Sequence, residues 1–448
     1  MSVTSYRKRQ RASLVGLVVG LSTALFADAL YAEDLQQVYE RAQAQDPQLA
    51  AVEAQYRATT EGVPQARAAA FLPNATINAE ASLNRQDITS QFGRGGVSTF
   101  NNYQYALTVN QPVYHPDRWI AVKQADRRIA QALAQLAAAR QELIVRTAER
   151  YLDVLYAQDS LSFAQAEVAA LGRQLDQAQA RFKVGLVAIT DLQEAQAGRD
   201  LAQARVIEAT NALDNAREAL GEVTGRVGES LAPVGNTVPF ITPEPADLER
   251  WQETALAQNR EIAAAALAAD VAKDDIRRQF SGHLPSLDVV GSYGVSSRGG
   301  QFAADSESGS IGLQLTVPLY AGGSVNSRTR EAEHRYQQTL DQLEQQRRET
   351  HRQTHDAYLG VVTGISRVQA LMQAVSSNET AVAAAQAGTA VGTRTAVDVV
   401  VAQRALAQAQ RDWARARYDY LLNHLRLKRA AGTLAPEDVQ RVTGWLQH

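Results

Sequence analysis

Hydrophobic and polar positions follow two rhythms along this chain, and each rhythm occurs twice. The first has a period of two. Ala75, Ile77, Ala79, Ala81 and Leu83 alternate with Thr76, Asn78, Glu80, Ser82 and Asn84. Tyr103, Tyr105, Leu107 and Val109 alternate with Gln104, Ala106, Thr108 and Asn110. Further on, Leu287, Val289, Gly291, Tyr293 and Val295 share one face of a strand pattern, as do Ile311, Leu313, Leu315 and Val317. This predicts strands over 74–84, 103–114, 286–296 and 311–320. Each is about ten residues, the length of a tilted membrane-spanning strand. The stretches from Arg85 to Asn102 and from Ser297 to Ser310, rich in Gly, Ser, Asn and Gln, read as the connecting loops.

The second rhythm is helical. Ile129, Leu133, Leu136 and Leu143 step by 4, 3 and 7, and Tyr336, Leu340 and Leu343 repeat the first steps. That spacing predicts a coiled-coil-like seam. All twelve prolines lie outside the tracts Asp117 to Ala232 and Leu319 to Ala435. Proline costs a helix interior about 3 kcal/mol, so these tracts are free to form unbroken helices. A helix from Arg118 to Val184 has 67 residues, and one from Asn326 to Val391 is nearly as long. Each would span roughly 100 Å. Val184-Gly185 and Val391-Gly392 are the natural turns, with returning helices from about Thr190 and Thr395.

The repetition is a duplication. Tyr151, Val184-Gly185 and Asp191 recur 207 positions later as Tyr358, Val391-Gly392 and Asp398. The Leu-Pro pairs at Leu72-Pro73 and Leu284-Pro285 open the two strand regions. A period this long makes each copy a structural half rather than a solenoid unit. The division expected is a first repeat over 33–224 with its hairpin at 118–224, a linker over 225–247, a second repeat over 248–432 with its hairpin at 325–432, and a tail over 433–448.

The start of the chain changes what the strands mean. Arg7, Lys8, Arg9 and Arg11 precede an apolar stretch from Leu14 to Phe26 that is too short to span a bilayer. Ala27-Asp28-Ala29 fits a signal cleavage rule, and cleavage after Ala32 also fits, so residues 1–32 are expected to be an export signal. Alternation alone also suits a soluble sheet. An exported duplicated chain with no later apolar helix favours an outer-membrane barrel.

Composition removes other classes. The net charge is −3, and −6 without residues 1–32, which hold four basic residues and one acid. This gives no footprint for nucleic acid. The absence of cysteine excludes disulfides, thiolate metal sites and a lipidated cysteine. His351 and His355 stand at i and i+4, but no glutamate follows the first, so the zinc-protease pattern is missing. No nucleophile elbow or phosphate loop occurs. No enzyme activity, cofactor or metal is expected. Four strands cannot close a membrane barrel, whose minimum is about eight, so the chain must oligomerise.

The order strand, strand, helical hairpin, written twice from Glu33-Asp34-Leu35 to Gly432-Thr433-Leu434, resembles the TolC-type outer-membrane channels of drug efflux and type I secretion. The resemblance implies a mainly α fold with a membrane β-barrel portion: a trimeric 12-stranded β-barrel joined to a long periplasmic α-helical barrel. It implies a passive exit duct in the Gram-negative outer membrane, in contact with lipid. Its partners would be a periplasmic adaptor and, through it, an inner-membrane ABC or proton-driven pump. By the same resemblance Val184, Gly185, Leu186, Val391, Gly392 and Thr393 form the adaptor-docking tip. Asp398 forms an acidic ring there, and Arg394 ties the tip shut on Thr190 or Asp191 of a neighbouring hairpin. Two positions depart from that pattern: Val401 stands where a second acid can occur, and Thr389 where an aromatic lock can. Ordinary capping also explains part of the tip, since Thr190 with Gln193 fits a capping box and an acid near a helix start is favoured by the dipole. The other classes open are a periplasmic adaptor-like protein and a structural coiled coil. The cargo is not legible.

Overall fold

The computed structural model describes residues 32–88, 96–226, 230–233, 238–299 and 303–446. The signal expected over 1–32 therefore lies outside the described residues, apart from Ala32. Three short helices come first: α1 (Leu35–Gln45), α2 (Pro47–Thr60) and α3 (Gly62–Phe71). Strands β1 (Asn74–Ile88) and β2 (Gly96–Tyr114) follow, then α4 (Pro116–Lys183) and α5 (Ile189–Thr224). The second half has α6 (Leu248–Gln258), α7 (Arg260–Phe280), β3 (Ser286–Arg298), β4 (Ala304–Thr316), α8 (Ser324–Ala390) and α9 (Ala396–Ala430). Helix α10 (Pro436–Leu446) closes the chain.

Helices α4 and α8 have 68 and 67 residues, or roughly 100 Å each. Pro116 opens α4 at a position where no backbone donor is needed. Their interfaces are made mostly of small residues. Ala125, Ala132, Ala164 and Ala178 are the buried positions along much of α4, as Ala195 and Ala202 are on α5. Of the expected seam, Leu136 and Leu143 are buried, but Leu133 is 52% exposed. Alanine permits closer helix approach than leucine, so the contact line runs along the alanines and leaves Leu133 outside it.

One region is thick. Leu143, Ile144, Val145, Tyr151, Leu152 and Leu155 of α4 are all buried, because α1, α9 and α10 surround this part of the helix. Burying a side chain such as Leu143 contributes about 1.5–3 kcal/mol. Two tyrosines fasten the connecting segment to this core. Tyr151 donates its hydroxyl to the Ala232 carbonyl at 2.8 Å. Tyr420 accepts from the Ile241 N–H at 2.9 Å and donates to the Ile241 carbonyl. Burial holds both hydroxyls above their ordinary pKa, so they remain donors.

The four strands form one antiparallel sheet in the order β1-β2-β3-β4. Ile77 lies opposite Leu107, Leu107 opposite Tyr293, and Val289 opposite Leu313. Thr76, Thr108, Ser292 and Ser310 line the other side in one row. The sheet thus has an apolar face and a polar face. Nothing covers the apolar one: Ile77 is 75% exposed, Ile311 82% and Leu313 75%. Among the described residues, neither β1 nor β4 has a partner on its outer edge.

Two strand expectations need correction. Pairing continues to Ile88 opposite Gly96 and to Arg298 opposite Ala304, so most of the residues read as loops extend the hairpins. The ladder bonds use the backbone, which serine and asparagine supply as well as valine does. Conversely, β4 ends at Thr316, and 317–320 lie outside it. Pro318 has no N–H to continue the ladder.

The turn after α9 yields a stability prediction. Gly432 has φ +73, and a Cβ there would lie 2.3 Å from the Gln258 carbonyl oxygen. Gly432→Ala should destabilise the protein by at least about 1–2 kcal/mol from the left-handed backbone alone. Gly62→Ala, at a site with open space, should leave thermal unfolding in detergent unchanged.

Candidate functional site

The two hairpin tips are built alike. Gly185 has φ +75 and donates to the Phe182 carbonyl at 2.9 Å, while Leu186 donates to Arg181 at 2.9 Å. This pair of bonds ends α4 in a Schellman turn, which needs glycine at its left-handed position. Gly392 has φ +79, and Thr393 donates to the Gly388 carbonyl at 2.9 Å. The Thr389 carbonyl accepts at 2.9 Å from the Arg181 guanidinium of the other hairpin. That bond ties the two tips together within one chain, and the spacing of residues gave no sign of it.

Around these turns the apolar residues face out. Val184 is 68% exposed, Leu186 73% and Val391 76%. Such side chains are not needed for the turn.

The two halves differ in how their return helices begin. Thr395 caps α9 in a capping box: Asp398 accepts from the Thr395 N–H at 2.8 Å and from its hydroxyl at 2.9 Å. These bonds hold the Asp398 carboxyl below the usual range, with Arg394 adding a smaller effect of the same sign. The capping box expected at Thr190 with Gln193 is absent. Helix α5 starts two residues earlier than that cap requires, with Ala188 at its N-cap and no side-chain cap, which places Thr190 inside its first turn.

Asp191, Arg181, Leu186, Gly392, Arg394 and Thr395 border one cleft of about 260 Å³ between the hairpins. Thr190 is exposed and is not among its lining residues. Arg394 lies along the last turn of α8, where a Cβ on Gly388 would stand 2.9 Å from its Cγ. Within the chain, its guanidinium makes no hydrogen bond or ion pair among the described residues, to Asp191 or to any other group. It is therefore available to a neighbouring molecule. His355 stands 3.4 Å from Asp356 on its own helix, and no metal-holding group of three or more ligands occurs among the described residues.

Above the tips a ladder joins α4 to α9. Glu142 pairs with Arg429 at 2.6 Å, Glu149 with Arg426 at 3.0 Å, and Asp153 with Arg415 at 2.9 Å. Tyr418 donates to Asp159 at 2.6 Å, where burial raises the carboxyl's pKa against that bond. Nearest the tip, Glu167 is buried between Arg205 at 2.7 Å and Arg411 at 4.0 Å. The acids are all on α4 and the cross-hairpin cations all on α9. Exposed pairs of this kind contribute about 0–1 kcal/mol each. Breaking a buried one by removing a partner costs about 3–5 kcal/mol.

Comparison with known proteins supports the same architecture. The model of the "Outer membrane efflux protein" family matches residues 38–226 and 251–433, one match in each half. The chain is 37% identical over 440 residues to outer membrane protein TolC of Vibrio cholerae, covering 97% of this chain and 98% of that protein. It is 31% identical to the alkaline protease secretion protein AprF of Pseudomonas aeruginosa, covering 96% and 90%. The crystal structure of the Campylobacter jejuni CmeC outer membrane channel superposes with a TM-score of 0.77 at 16% identity, over 92% of this chain and 90% of that one.

The capping box predicts a pH response. A depressed carboxylate pKa stabilises the folded state above the unfolded value, near 4, and that contribution is lost as pH falls through the depressed value. Thr395→Ala should move the Asp398 pKa up toward the ordinary range. Carbon-13 titration of labelled aspartate reads this shift. The Thr395 N–H bond survives this change, so an unmoved pKa would mean that the hydroxyl has no part in holding the carboxylate.

Proposed function

Since the chain belongs to the outer membrane efflux protein family, we propose that it is the passive exit duct of a tripartite efflux or type I secretion system. It sits in the outer membrane, with its helices in the periplasm. The observation that carries this reading is the sheet: one apolar face uncovered, two edges open, and two hairpins of roughly 100 Å attached. Three chains would supply twelve strands and close one barrel, with Ile77, Leu107, Val289 and Leu315 toward lipid and Thr76, Thr108 and Gln314 toward water. The six long hairpins would continue that lumen as a helical tunnel. An adaptor or a structural coiled coil leaves both strand pairs without a use.

The duplication then has a functional meaning. The repeats over 33–224 and 248–432 each carry one strand pair and one hairpin, and the segments over 225–247 and 433–448 gird the tunnel. A periplasmic adaptor would seat its own helices on Val184, Leu186 and Val391 and the turns at Gly185, Gly392 and Thr393. An inner-membrane ABC or proton-driven pump, reached through the adaptor, would supply the energy that a channel lacks. The relative named for alkaline protease secretion makes a protein cargo one direction to test.

Two sets of variants test this reading. Arginine at a lipid-facing midplane position costs about 2–4 kcal/mol, so Leu107→Arg should abolish assembly while Thr108→Arg assembles and alters conduction. Equal assembly of the two would overturn the orientation of the sheet. At the tip, Arg394→Ser should raise single-channel conductance in planar bilayers, because Arg394 would bond to Thr190 or Asp191 of a neighbouring chain. Asp398→Ala should weaken cation selectivity, and bulky residues at Leu186 and Thr393 should stop export with the assembly intact. Wild-type conductance and selectivity in both gate variants would leave Arg394 and Asp398 as helix-end residues only.

A further inference from the structure

The ties between the two hairpins change character at Glu167. Toward the thick core they are half-exposed ion pairs. Toward the tip, among the described residues, no ion pair joins the hairpins. What remains there is Val400 against Gly198, a small cluster of Val400 with Leu171 and Ala202, and the Arg181 bond to Thr389. Small, smooth contacts of this kind can slide. An ion pair has one geometry to keep.

Glu167 stands at the boundary, and its side chain is 0% exposed. One carboxylate oxygen accepts from Arg205 on its own hairpin at 2.7 Å. The other is buried without a hydrogen bond, and Arg411 of the second hairpin waits 4.0 Å away. Arg205 keeps the carboxylate paired, but Arg411 is the cation that faces the buried second oxygen, so drawing Arg411 away would leave that oxygen with no charge to answer it. The free oxygen also gives α9 somewhere to go. A small rotation would bring Arg411 into a charge-assisted bond that the resting state lacks.

On the reading of Arg394 and Asp398 as a tip gate, we infer that Glu167 is the pin about which the two hairpins turn against each other. It is a positioning residue that confines loosening to the part of the tunnel below it. Sixteen residues of α4 lie on that side, or about 24 Å of helix. Arg205 holds the pin to the first hairpin, and Arg411 is the arm of the second hairpin that faces it.

Hydrogen exchange on the detergent-solubilised full-length protein tests this without reference to transport. In the wild type, amides of 396–407 should exchange about tenfold faster than those of 411–427, with the step at the level of Glu167. Glu167→Gln and Arg411→Met should carry the fast zone past Arg415, and Glu167→Asp should return it. Size-exclusion chromatography in the same detergent checks that each variant keeps its native size. If Glu167→Gln alone loses it, Arg411→Met and Glu167→Asp carry the test. A step that stays in place in Arg411→Met and Glu167→Gln, or that moves as far in Glu167→Asp, would overturn the pin. If Arg394→Ser leaves conductance unchanged while the step still moves, the proposed gate fails and Glu167 remains the pin.

Discussion

A β-sheet cannot end inside a bilayer. Every unpaired N–H or C=O on its edge would sit in hydrocarbon without a partner, at a cost of several kcal/mol each. This chain has such a sheet, with β1 and β4 open at its two edges and a face bearing Ile77, Leu107, Ile311 and Leu313 uncovered. Four strands cannot curl far enough to meet. On the proposed reading, other copies of the chain satisfy the edges. Once the sheet closes that way, the hairpins hanging from it have no choice but to close as well, since α4 begins two residues after β2 ends.

The helical part answers a different demand. On the proposed reading it has to be stiff where the duct is held together and yielding at the gated tip. Stiffness comes from the middle of α4, whose apolar side chains are packed by α1, α9 and α10, and from the Tyr151 and Tyr420 hydroxyls that fasten the connecting segment there. Toward the tip the core thins to alanines and to Gly198 against Val400. Side chains that do not interlock give low resistance to sliding, so the same small residues that let the helices approach also let them part. On the inference drawn for Glu167, the ion pairs of the α4–α9 ladder mark how far up that freedom extends.

Much of this architecture is legible in the residue order. The duplication at a spacing of 207, the proline-free tracts and the period-two runs point to two strand pairs and two long hairpins. The family model meets the chain once in each half. Strand ends were less legible, because β1 and β2 run on through residues such as Arg85, Gln86 and Ser98 whose backbone pairs regardless of their polarity. Thr190 shows the limit of a capping motif: moving the helix start by two residues, from Asp191 to Ile189, takes the threonine out of the cap. The tip turns were readable from Gly185 and Gly392, since only glycine sits easily at φ near +75. The Arg181 bond to Thr389 and the burial of Glu167 were not, because both depend on how one hairpin lies against the other.

The central claim is that the open edges of the sheet meet the edges of other copies, and the chain's lack of cysteine makes that directly measurable. Single cysteines placed at mid-strand positions of β1, such as Thr76 and Asn78, can be combined with single cysteines on β4, such as Ser310 and Gln314, in doubly substituted chains. Mild oxidation in the outer membrane should then give covalent species that stop at three chains on a denaturing gel, for those pairs that fall in register. A scan of such pairs that yields only single chains would contradict the account.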